Sequence, residues 1–104
     1  MSGGGDNLQF YLRRLAVACS YADQRYLAQL LRLVDLLASE KFEEAIEAAD
    51  TLSEPLERFG LRETVGALSS MLASQDASAQ AREEAQNWFL RIKMAIQRRL
   101  FTES

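Results

Sequence analysis

The apolar positions of the chain fall in steps of three and four residues, the spacing of one face of a helix, almost from end to end. Leu8, Tyr11 or Leu12, Leu15 and Ala18 predict a first helix from about Asn7 to Cys19. Asp6 is its candidate N-cap, and Gln9 three residues on completes a capping-box pattern. "SYAD" offers Ser20 and Asp23 as a second box, and the stripe Tyr26, Leu27, Leu30, Leu31, Val34 and Leu37 carries a second helix to about Ala38. No Gly or Pro separates these two, so one bent helix is the alternative.

After a tight polar turn at residues 39–41, the apolar positions are Phe42, Ala45, Ile46, Ala49, Leu52, Leu56 and Phe59. This series passes through Pro55 without losing phase, whereas beyond Gly60 the next apolar face, Leu61, Val65, Leu68 and Leu72, points the other way. The pattern therefore predicts one kinked helix from about Phe42 to Phe59, with Gly60 as a left-handed cap. A break at Pro55 is the competing reading: Thr51 with Glu54 forms another capping box, Ser53 is a good N-cap, and proline suits a first turn. A short helix from Leu61 to about Leu72, the loop "ASQDASAQ", and a last helix from about Ser78 to Phe101 follow. Ala81, Ala85, Trp88, Phe89, Ile92, Ile96 and Leu100 form the apolar side of that last helix.

Composition agrees with the periodicity. The 104 residues include one proline and five glycines, three of them in the opening "MSGGGD", and strong helix formers dominate the rest. The expected fold is all-α, a four- to five-helix antiparallel bundle with short connections, in a single domain over residues 6–104 after a flexible leader at 1–5. There is no histidine and one cysteine, Cys19. That removes Ser-His and Cys-His dyads, histidine-bearing metal sites and an intramolecular disulfide. No glycine-rich phosphate loop is present, and no loop has the acidic ligands and central glycine of a calcium-binding hand. The chain reads as not an enzyme, with no cofactor and no metal. No apolar run reaches the length of a membrane span, so a soluble, cytoplasmic protein is expected.

Charge is unevenly placed: +2 over residues 1–34, −6 over 35–58, −2 over 59–86 and +3 over 87–104. Glu43, Glu47, Asp50, Glu54 and Glu57 recur at heptad spacing beside the apolar face of the third helix. Such a line of carboxylates either solvates the domain or meets a basic partner, including the chain's own Arg25, Arg32 or Arg91. The terminal "NWFLRIKMAIQRRLF" is basic and amphipathic. It either completes the core, with its cations near a helix C-terminus, or lies on a membrane or in a partner's groove. An acidic domain without a broad basic patch argues against nucleic acid. Cys19, between Ala18 and Ser20, reads as a small buried hydrophobe. Arg25, Tyr21 and Tyr26 form either a contact surface or the packed end of the bundle.

Two resemblances cover the middle of the chain. "EAADTLSEPLERFGL" resembles the signature of histidine phosphotransfer domains, with Thr51, Leu52, Gly60 and Leu61 at matching positions and Asp50 where the phospho-accepting histidine stands. Ser53 and Glu54 replace the usual lysine and glycine. With helix three continuous, the resemblance implies a regulatory module that docks a receiver-like domain through helices two and three without transferring phosphate. "LLRLVDLLASEKFEEAIEAADTLSEP" is similar to a tetratricopeptide-type hairpin, with Phe42 to Ile46 as the aromatic-"EEAI" start of its second helix, and to the small tetratricopeptide-like chaperones of type III secretion. That resemblance requires the break at Pro55 and implies an adaptor holding a small helical subunit. Its expected aromatic position is Ala49, and the chain has length for little more than two and a half helix pairs. Both imply a non-catalytic protein that holds another protein. With nucleic acid and a membrane set aside on charge and length, the residues expected to contact that partner are Arg25, Glu43, Glu47, Asp50, Glu54 and Glu57, and self-association is left open.

Overall fold

Where the apolar series passes through Pro55, the backbone does not stay helical. In the computed structural model, which describes residues 3–102, the helices are α1 (Gly3–Tyr21), α2 (Leu27–Ala38), α3 (Phe42–Asp50), α4 (Glu54–Glu57), α5 (Leu61–Ala73) and α6 (Ala79–Thr102). No strand occurs among the described residues. The kinked helix expected from Phe42 to Phe59 is thus two helices, and the break at Pro55 is the correct reading. The reason is local. A proline ring collides with the carbonyl four residues earlier, here that of Thr51, and offers no N–H in return. α3 accordingly ends at Asp50, with Thr51 as its C-cap. The chain tightens as the Thr51 and Leu52 N–H groups donate to the carbonyls of Ala48 and Ala49 at 3.2 and 3.4 Å. Ser53 is extended (φ −61°, ψ 146°), and Pro55 sits in the first turn of α4.

The unbroken phase has its own cause: Leu52 and Leu56 are both buried on either side of the break. The periodicity recorded which residues face the core, and a one-turn helix set against that core preserves the spacing. The break is also tied from outside. The Gln29 amide on α2 donates to Ser53 Oγ at 2.9 Å, while the Ser53 N–H donates to Gln29 Oε1 at 3.3 Å.

Other boundaries follow similar logic. α1 includes Gly3 to Gly5, where a leader was expected, so Asp6 lies within its first turn and not at its cap; Met1 and Ser2 lie outside the described residues. Asp23, not Ser20, is the cap after α1. Its carboxylate accepts the Arg25 N–H at 3.1 Å and starts a single 3-10 turn, Gln24–Tyr26, that leads into α2. The first two helices are therefore separate. Between α2 and α3 the Lys41 N–H reaches the Leu36 carbonyl and the Glu40 N–H the Leu37 carbonyl, at 2.9 and 3.1 Å, a Schellman closure. It forces Glu40 to a left-handed φ of 61°, and Gly60 turns the corner into α5 at φ 71°, as the sequence predicts for that glycine.

Packing closes the long helices into a ring in which α6 packs on α2, α2 on α3, α3 on α5, α5 on α1, and α1 on α6. Successive members alternate in direction: Lys93 meets Asp35 and the Gln86 amide meets the Ala38 carbonyl, so α6 runs against α2. An odd number of alternating helices cannot close without one parallel pair. That pair is α1 and α6, whose contacts run from Gln9 with Glu84 to Cys19 with Arg99. The bundle is therefore not antiparallel throughout. Leu12, Leu15, Leu30, Leu33, Leu61, Phe89 and Ile96 are fully buried in its axis. Leu33 was missed by the periodic reading, whereas Ile46, Trp88 and Phe42 were expected inside and are exposed or half-buried.

Candidate protein-binding faces

The break at Pro55 divides the acidic line. Glu43 and Glu47 stand exposed on the outer face of α3, and Glu54 stands exposed at the start of α4. Asp50, the last residue of α3, lies 3.3 Å from Arg62 Nε, and Glu57 on α4 lies 2.6 Å from the same guanidinium. One cation at the start of α5 thus draws the two helices together across the break. Arg62 was absent from the sequence-based candidates because only the reversal at Gly60 brings the first turn of α5 back beside α3. Glu43, Glu44, Glu47 and Glu54 make no ion pair among the described residues.

Arg25 does not join this line. Its Nε lies 3.6 Å from Asp23, its guanidinium stacks over the Tyr26 ring at 5.8 Å, and it shares a shallow cleft at the end of the bundle with Tyr21, Pro55, Arg58 and Phe59. Neither Arg32 nor Arg91 pairs with the acids of α3 among the described residues.

Cys19 is buried, and desolvation pushes its thiol up to about 12 despite the nearby Arg99 guanidinium, which acts to lower it. A thiol held protonated in this way is a poor nucleophile. Among the described residues no group of three or more carboxylates and thiols is placed to hold a metal ion, and no helix is long and apolar enough to cross a membrane.

The terminal segment serves the core on one side only. Phe89, Ile92 and Ile96 of α6 are buried, while Leu90, Met94 and Phe101 are exposed by 57, 52 and 81%. Three of its cations have distinct partners: Lys93 pairs with Asp35 at 2.7 Å, Arg91 covers the Trp88 ring at 5.7 Å, and Arg99 donates to the carbonyls of Cys19 and Ala22, each at 3.0 Å. Arg99 so caps the C-terminus of α1, where a cation is also favoured by the helix dipole. α1 repeats the exposed pattern of α6. Phe10, Val17 and Tyr21 are exposed at i, i+7, i+11, one helical face, as Leu90, Met94 and Phe101 are at i, i+4, i+11 on α6. Compared with known proteins, the chain matches no protein family, no curated protein and no solved structure.

Proposed function

We propose that the chain is a non-catalytic protein–protein interaction module that docks a basic partner along the outer face of α3 and the adjoining side of α2. One observation carries the reading: Glu43, Glu44 and Glu47 crowd two turns of α3 without a cation opposite them among the described residues. Uncompensated charge of one sign raises encounter rates with the opposite sign and contributes to specificity more than to stability. Asp50 and Glu57 belong to the same face but are held by Arg62, so they shape its edge. Arg25, at the end of the bundle, lies outside this face. The role is that of a regulatory or adaptor protein, with no cofactor and no reaction of its own.

The test is affinity capture from lysate of the native host, comparing wild type with a Glu43→Lys/Glu47→Lys variant at matched salt and identifying bound proteins by mass spectrometry. Asp50→Lys is a poorer variant, because it also removes the Arg62 contact. Each reversal should weaken a docked basic surface by about 1 kcal/mol while leaving thermal stability unchanged. Recovery of the same proteins in the same amounts by both baits would reject the α3 surface. Receiver-containing regulators lost from the variant would favour the phosphotransfer-like reading. That reading keeps its local motif but not the continuous helix on which it was set. A small helical subunit would favour the tetratricopeptide-like adaptor or secretion chaperone, which gains support from the break at Pro55.

A further inference from the structure

The parallel pair leaves its own mark on the surface. A groove of about 220 Å³ runs along the seam between α1 and α6, floored by Cys19, Ile92 and Ile96 and rimmed by Ala16 and Ser20 on one side and Ala95 on the other. Small rim residues let a third backbone approach closely. Trp88 and Arg99 mark the two ends, three helical turns or roughly 17 Å apart. Val17 and Met94, each one residue from a rim alanine, are exposed beside it.

The rims are basic. Arg91 lies in the lining over Trp88, and Arg98, three residues past Ala95 and seven past Arg91, continues the same stripe of α6. Arg13, three residues before Ala16 and seven before Ser20, continues the α1 rim. Arg13, Arg91 and Arg98 make no ion pair among the described residues. This basic, apolar seam lies across the ring from the acidic face of α3, since α3 packs on α2 and α5 while α1 and α6 close the opposite side.

We propose that the α1–α6 seam binds an amphipathic α-helix of a partner protein, with an apolar stripe on the groove floor and acidic side chains against Arg13, Arg91 and Arg98. The helix runs antiparallel to both α1 and α6. In that orientation it restores the alternation that five helices cannot complete, and its N-terminal turn, where acidic residues are favoured, meets Arg98. This site is independent of the α3 surface.

The probe is a fluorescein-labelled peptide of about 18 residues built from Glu, Ala and Leu, with Leu at helical spacing. Its controls are a scrambled peptide of the same composition and a counterpart with Lys for every Glu. Fluorescence anisotropy should show the acidic amphipathic peptide binding at least about tenfold tighter than either control. Ala95→Glu and Arg91→Glu/Arg98→Glu, all at exposed positions and checked by circular dichroism, should weaken it by about fivefold or more, while Glu47→Lys on α3 should not. Equal binding of the scrambled peptide, of the Lys peptide, or by the two seam variants would overturn the proposal. Concentration-dependent self-association of the wild type that Ala95→Glu abolishes would also overturn it, by assigning the seam to a second copy of this chain.

Discussion

Replacing Gln29 by alanine removes the side chain that holds the α3–α4 break in place. The amide makes three neutral hydrogen bonds to Ser53, all half-buried: Gln29 Nε2 donates to Ser53 Oγ at 2.9 Å, and the Ser53 N–H and hydroxyl share Gln29 Oε1 at 3.3 Å each. Each such bond contributes roughly 0.5–1.5 kcal/mol net. Against their sum stand the rotamer freedom the glutamine regains and alanine's better helix propensity, together about 1 kcal/mol. Gln29→Ala should therefore cost about 1–2 kcal/mol, seen as a lower urea midpoint with an unchanged slope and a Tm lower by about 4–8 °C per kcal/mol for a domain of this size. The decisive quantity is the coupling with Ser53→Ala. If the two side chains act through each other, a double-mutant cycle should return about 1 kcal/mol. Additivity within about 0.3 kcal/mol would refute the reasoning and leave Pro55 alone responsible for the break.

Two positions share a left-handed backbone and should respond with opposite sign. Gly60→Ala imposes a side chain at φ 71° and drives its Cβ into the Arg14 guanidinium, which pairs with Glu63 at 3.2 Å; thermal melts should show a loss of about 1–2 kcal/mol. Glu40→Gly relieves the same strain at φ 61°, less the added freedom of glycine in the unfolded chain, and should gain roughly 0.5 kcal/mol. Cys19 makes stability pH-dependent at the alkaline end. Its folded value, pushed up to about 12 from an ordinary 9.0, means that the unfolded chain loses the thiol proton first. The contribution is complete below pH 9 and is lost as pH rises towards 12, at about 1.4 kcal/mol per unit. Subtracting the stability curve of Cys19→Ala should isolate that slope, and parallel curves would contradict the burial argument.

The helical class, the glycine corner, the start of α3 at Phe42 and most core positions were determined by the order of residues alone. Period and capping chemistry act over a few residues, and the chain's one proline and few glycines left little else to choose. Those same local signals allowed both readings at Pro55, because apolar spacing reports burial and burial continues across a break when both flanks face one core. Three features came only with the tertiary structure. Arg62 reaches Asp50 and Glu57 because α5 folds back on α3, and Arg99 caps α1 because α6 runs parallel to it across 77 to 80 residues of sequence. The basic seam exists because five alternating helices close with one parallel pair. Each depends on which elements become neighbours, a choice set by the fit of whole faces in the core, which no short window of sequence contains.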